Sequence, residues 1–442
     1  MVGDCEREIE IADRAVALLG RPVPGTPRRV LGDLAGQALR QGLHRLLPAR
    51  PVRGDPEARA DALEAARAYE RLALLNYYAN AREAAVSSVL HVANLAERAG
   101  PSPELARAYG AMSVAAGVVG LHALARRYRQ WGHDTARRSD DLPALVFVLL
   151  TTSAYDLSVG NLSAACAALT EGLEIAQDLD DQRRWAEVAA LLAQVLYHQG
   201  ELGRLATLSA EMRTMASHAD DAQRKAHALL IEAWHLLPEG RLDAAVAGLG
   251  EAARLLQGQG SRADEILAHG MLGLAHLRRQ DQERARMAAD QAANLIARSK
   301  PVAVSILEGY AGVTEVYLSL WAAGDRSAMG PARQACATFR RYARALPIAR
   351  PRAWLFQGLA AHRTGRQRRA AAAWRKSLAL AERMAVPYEQ GRALYEIGRH
   401  TPTGLPGRQA HLARAAEIFQ AIGATYELAQ VQAAMPSPRR TP

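Results

Sequence analysis

An all-α array of stacked helical hairpins, an α-solenoid, is the fold this sequence predicts, and three features predict it. A turn-type residue recurs every 40 positions, at Asn80, Gly120, Gly160, Gly200, Gly240 and Gln280, and Gly324, Gly365 and Gly407 continue the series. Self-similarity at such a period marks one supersecondary unit copied and stacked, because a single unit cannot bury its apolar face alone. Small residues keep register with that turn. Five positions after it stand Ala85, Ala125, Ala165, Ala245, Ala285 and Ala370, with Leu205 as the departure. Seven before it stand Ala73, Ser113, Ser153, Ala193, Ala233, Gly273 and Gly358. Two small positions at these offsets face each other across a hairpin and let its helices approach closely. Around them run apolar residues at helical spacing, as in Trp185, Val188, Leu191, Leu192, Val195 and Leu196, the stripe a buried amphipathic helix needs. No segment shows the alternation of a strand.

Taken in order, residues 1–57 form an irregular N-terminal segment. Asp4 to Leu19 reads as the second helix of a hairpin whose first helix is absent, with Gly3 where the turn would fall. Pro22, Pro24, Pro27, Pro48, Pro51 and Pro56 then flank one helix expected from about Val30 to Leu47. The regular array occupies 58–434. Its spacing lengthens between Gln280 and Gly324, which predicts a local irregularity there, and the last units turn at Gly365 and within 401–407. Residues 435–442 are expected to be a disordered tail.

With 49% hydrophobic but only 5% aromatic residues, the core must be built from Ala and Leu. Cys5, Cys166 and Cys336 lie far apart with no framework spacing, so a reducing compartment is expected. The N-terminus is acidic and has no apolar run before a cleavage site. The most apolar stretch, beginning at Leu142, reads as too short to span a membrane. A cytoplasmic location follows as the expectation. Net charge is +10, and it is concentrated: between Arg326 and Ala381 there are thirteen Arg and Lys and no Asp or Glu. High-GC coding explains Arg over Lys, since only Lys225, Lys300 and Lys376 are lysines, but it does not explain the missing acids.

The order of a small residue, a glycine turn and a second small residue resembles the tetratricopeptide repeat, whose usual unit is about 34 residues. The stretches 17–48 (ALLGRPVPGTPRRVLGDLAGQALRQGLHRLLP), 66–110 and 387–430 are similar to the C-terminal helical-repeat region of large bacterial signalling ATPases, either adenylate/guanylate cyclase-linked or of the transcriptional-regulator type. That resemblance implies a right-handed superhelix and a role in signalling. In that architecture an ATPase precedes the repeats, and the present sequence holds neither it nor a catalytic domain.

Motifs for chemistry are missing. No GxxxxGK[ST] occurs, the three lysines following Arg224, Ser299 and Arg375, so no phosphate-cradling loop can form. There is no HExxH, no zinc-spaced Cys/His set and no GxSxG elbow. His269 and His276 share a helix face but have no acidic ligand motif beside them. The sequence therefore predicts a non-enzyme without cofactor or metal.

What remains is a surface. In tetratricopeptide solenoids the first helix of each hairpin lines the concave groove, and the resemblance carries that role to Tyr77, Tyr78, Arg107, Gln194, Tyr197, His198, Trp234 and Arg278. Tyr, Trp and Arg are the types that anchor binding hot spots. A second surface is the basic segment, represented by Arg333, Arg340, Arg344, Arg352, Arg363, Arg366 and Arg369. The expected partner is a protein, acidic where it meets that segment, with a separately encoded ATPase or cyclase as a candidate. The alternative is a nucleic acid bound by 326–381, where Phe339, Tyr342, Trp354, Phe356 and Trp374 interleave with arginines.

Overall fold

The structure, a computed structural model, describes residues 2–21, 26–46, 55–78, 81–218, 221–258, 261–298 and 304–435. Among them all regular structure is helical, in twenty-one α-helices and three single 3-10 turns, as expected of an all-α solenoid. The chain divides into two compact units, Met1–Asp156 with Ala167–Val188 and Leu157–Cys166 with Ala189–Pro442. Asn80 and the tail 436–442 lie outside the described residues.

In the first unit α1 (Val2–Leu18) packs on α3 (Pro56–Tyr78), so the N-terminal helix is covered along Ala12 and Val16. α3 forms a hairpin with α4 (Arg82–Ala99), and α5 (Pro103–Val118) forms one with α6 (His122–Ser139). α2 (Pro27–Leu46) lies on α4. The boundary between units runs through α7 (Leu142–Val159), α8 (Leu162–Asp178) and α9 (Gln182–Gln199). α7 differs from expectation: it continues unbroken to Val159, and it is long and apolar enough to cross a membrane. More than half of it is buried, with Leu145, Val148 and Leu149 packed on Ala106 and Ala136.

The second unit continues with α10 (Leu202–His218) and the hairpins α11 (Ala222–Leu236) with α12 (Leu242–Leu256), and α13 (Arg262–Arg278) with α14 (Gln282–Ala297). Then follow α15 (Leu307–Ala322) with α16 (Met329–Ala345), α17 (Arg350–Arg363) with α18 (Gln367–Arg383), α19 (Pro387–His400) with α20 (Pro406–Ile422), and α21 (Thr425–Ala434). The longer spacing after Gln280 is taken up by 3-10 turns at 304–306 and 326–328.

The 40-residue signal has a backbone cause. Gly120, Gly160, Gly200, Gly240, Gly324 and Gly365 all have φ between 71° and 108°, and Gln280 has φ 63°. At Gly240 the glycine N–H donates to Leu237 O and the next N–H to Leu236 O, and the same pair recurs at Gly200, Gln280 and Gly365. This is the Schellman closure, which needs a left-handed residue. Between α19 and α20 the left-handed glycine is Gly404, and Gly407 is already inside α20. The joints between hairpins carry a second 40-residue signal. Asp140 and Asp180 are left-handed, and the following Asp141 and Asp181 cap α7 and α9 by accepting from Ala144 N and Arg184 N. Asp221 caps α11 in the same way. Inside the hairpins Ala125, Ala165, Ala245, Ala285 and Ala370 are fully buried, and a Cβ on Gly273 would sit 3.2 Å from Ala285 O.

Two features shape the second unit. α13 and α15 cross at backbone contact, since a Cβ on Gly312 would lie 2.1 Å from Gly270 O and one on Gly309 2.5 Å from Ile266 O. The last helices then return to earlier turns. Tyr426 N donates to Pro238 O, Thr425 Oγ1 donates to Glu239 O, and Ile422 and Pro387 pack over Gly200.

Candidate interaction surface

The first helices of the second unit bring the sequence-nominated groove residues together, but as interior. Tyr197, His198 and Gln194 on α9, Trp234 on α11 and Arg278 on α13 are all buried. Arg278 is held by residues from the end of the chain. Arg278 donates to Leu237 O at 2.7 Å, to Tyr388 Oη at 2.9 Å and to Glu427 Oε1 at 2.5 Å, and Tyr388 Oη donates to the same carboxylate. Arg352, on α17, binds Glu308 on α15 at 2.5 Å and Glu389 on α19, while Tyr197 Oη reaches Glu308 at 3.5 Å. Arg392 pairs with Glu315 at 2.8 Å. Six helices and the α11–α12 turn are thus joined by a buried ionic network, where the sequence led us to expect an open groove.

Electrostatics inside this network follow from burial. Desolvation opposes the charge of Arg278, yet Glu427 and Tyr388 outweigh it and keep the guanidinium protonated beyond its ordinary range. Arg352 is held the same way by Glu308 and Glu389. Burial pushes the Glu308 carboxyl up despite Arg352, and pushes the Tyr197 phenol up as well. His198 is driven down to about 3 by burial, reinforced by the Arg352 charge, so it is neutral at any physiological pH.

Arg352 therefore leaves the basic patch: it is 3% exposed and neutralised by two carboxylates, because it sits on the inward side of α17. The other six nominated arginines are exposed. Arg333, Arg340 and Arg344 project from α16, Arg363 ends α17, Arg366 lies in the turn and Arg369 opens α18. Arg341, Arg368, Arg375 and Lys376 are exposed beside them. No carboxylate pairs with any of these ten among the described residues. Arg333 rides over Trp321 at 5.9 Å and Lys376 over Trp354 at 4.1 Å. Four of the five interleaved aromatics, Phe339, Tyr342, Phe356 and Trp374, are at most 2% exposed, so they present no face on which a base could stack.

In the first unit Arg107 is half-buried on α5, bound to Glu70 at 3.0 Å and 3.8 Å from Glu104. Tyr77 and Tyr78 fall in the last turn of α3, and their side chains lie outside the described residues. Sequence reasoning missed the partners of the buried arginines, Glu308, Glu389, Tyr388 and Glu427. The available signal was the isolated Glu pairs on first helices at core-facing positions, which are costly unless matched by buried cations.

Among solved structures the chain resembles a Rap protein complexed with Competence and Sporulation Factor, with a TM-score of 0.53 and 12% identity over 87% of this chain and 99% of that one. The apo form of RapI gives a TM-score of 0.43 at 9% identity, covering 85% and 97%. At such identity the first likeness speaks for the helical-repeat fold alone. No family model and no curated protein matches the chain.

Proposed function

We propose that this chain is a non-catalytic docking module that recognises an acidic protein partner through the outer helices of its C-terminal hairpins. One observation carries the reading: ten exposed cations on α16, the end of α17, the α17–α18 turn and α18 have no carboxylate partner among the described residues, although ion pairs occur along much of the rest of the array. Exposed like charges repel one another and gain from an anionic partner. The likeness to a Rap protein that holds a bound factor supports reading the array as partner-binding. The buried network directs the partner to the outer surface of the second unit, because the inward face is occupied by the chain's own α19 and α21. Resemblance to the repeats of signalling ATPases supports a bacterial, cytoplasmic setting, with a separately encoded ATPase or cyclase as the first candidate. Nucleic acid is the weaker reading, since four of the five aromatics it would need are core and the fifth, Trp354, lies under Lys376. Recovery of a partner by the wild type and its loss in Arg340→Glu/Arg344→Glu tests the proposal.

A further inference from the structure

Helix α2 is docked inside out. At 3.6 residues per turn Asp33, Gln37, Gln41 and His44 share one face, and that polar face is the one turned toward α4. Gln41 Nε2 donates to Asn94 Oδ1 at 3.0 Å, Asn94 Nδ2 donates to Gln37 Oε1 at 2.9 Å, and Ser87 Oγ donates to Asp33 Oδ2 at 2.5 Å. His91 Nε2 meets Asp33 at 2.9 Å, His44 Nδ1 meets Glu97 at 2.7 Å, and Arg45 pairs with Glu97. The opposite face carries Leu31, Ala35, Leu39, Leu43 and Leu46, all exposed, Leu39 by 68% and Leu46 by 79%.

An amphipathic helix in water turns its leucines to the core. Here the ladder to α4 fixes the reverse, so the leucine stripe is presented outward and stays uncovered within the described residues. Gly32, Gly36 and Gly42 lie along the same side with open space where a Cβ would stand. Each weakens the helix relative to Ala, and each lets a second helix approach the backbone between leucine ridges. A lipid surface gains nothing from such notches. Charge settles the kind of helix. Arg28, Arg29 and Arg40 border the stripe, while the helix's one carboxylate, Asp33, is consumed by the ladder. A second copy of α2 would set arginine against arginine.

We propose that the leucine face of α2 is a docking surface for an amphipathic helix of a protein partner, apolar along its seam and acidic at its edges. It shares no residue with the arginine cluster of the C-terminal hairpins and is tested separately from it. The probe is a fluorescein-labelled synthetic helix of about five turns with leucines on one face and glutamates elsewhere, titrated with the full chain and followed by anisotropy. Saturable binding is expected, weakened at least about tenfold by Leu39→Ser/Leu43→Ser and, independently, by Arg29→Glu/Arg40→Glu, and unaffected by Arg340→Glu/Arg344→Glu. The second pair of substitutions leaves every apolar contact in place, so a folding defect in the first cannot hide the result. Absence of binding, equal binding of the same peptide with lysines for glutamates, co-sedimentation with phosphatidylglycerol vesicles in place of peptide binding, or a dimer abolished by Leu39→Ser would each overturn the proposal.

Discussion

Arg278 and Glu427 stand 149 positions apart in the chain and 2.5 Å apart in space, both buried. The pair ties the end of α13 to α21, and Tyr388 joins both, so the second unit is closed by charge as well as by apolar packing. Removing one partner strands the other without solvent, which costs about 3–5 kcal/mol, whereas replacing both by apolar groups of similar volume is much milder. Arg278→Met should therefore lower stability by that amount, and Arg278→Met/Glu427→Leu should recover at least half of it. Urea denaturation of both singles and the double decides; simple additivity would show that the two charges are not coupled.

The α13–α15 crossing predicts a sign change between two identical substitutions. Gly312→Ala places a methyl 2.1 Å from a backbone oxygen, which no rotamer can relieve, so the helices must part. Overpacking costs about 1–3 kcal/mol, and a backbone obstacle puts this case at the upper end. Gly250→Ala meets nothing within 4 Å on α12 and should gain up to about 1 kcal/mol from helix propensity. Thermal unfolding of the two variants, with shifts in opposite directions, checks the crossing.

Gln280 occupies a left-handed position that glycine fills at Gly240 and Gly365. A side chain there costs about 1 kcal/mol. Gln280→Gly should stabilise by roughly that much and Gly240→Gln should destabilise by a similar amount, seen as Tm shifts of opposite sign. Equal or reversed shifts would mean that the turn closure does not select the residue.

Much of this is legible in the sequence, because the signals are local. A left-handed turn favours glycine and a close helix pair favours a small residue, so both recur at the repeat period. The hairpin joints are equally legible in Asp140–Asp141 and Asp180–Asp181, which recur at the same period. The interior of the second unit was not legible. Arg278 and Arg352 look like groove or patch residues from sequence, and only the return of α19 and α21 supplies Glu389 and Glu427. That closure depends on long-range geometry, which no periodicity reports. The same limit hid the orientation of α2, whose leucines follow the helical period but face away from α4.

Acid should loosen the second unit through His198. Its folded pKa, about 3, lies below the unfolded value of about 6.5. The unfolded chain therefore binds the proton first, and stability is full above pH 6.5 and falls as pH drops through the interval down to about 3. The slope is at most about 1.4 kcal/mol per pH unit, so roughly 2 kcal/mol is lost by pH 5. His198→Gln should flatten this part of the profile. A pH series of urea midpoints, with His133→Gln as the corresponding control for the first unit, where burial drives the imidazole to about 4, reads the two contributions separately.

The exposed arginines of α16 and α18 make the final prediction, which separates a protein partner from a nucleic acid. Arg340 and Arg344 are four apart on one helix face, exposed and without carboxylate partners among the described residues, so reversing them changes surface charge without touching the core. Arg340→Glu/Arg344→Glu should leave Tm within a degree or two and abolish recovery of the acidic partner in a pull-down read by mass spectrometry. Duplex and single-stranded DNA should bind weakly at about 0.15 M salt, because phosphate attraction is screened there and four of the five aromatics of the segment are buried. If instead either nucleic acid binds tightly at that ionic strength, with a log–log salt slope reduced by the charge reversals, the arginine cluster is a phosphate-binding surface and the ranking of partners is reversed.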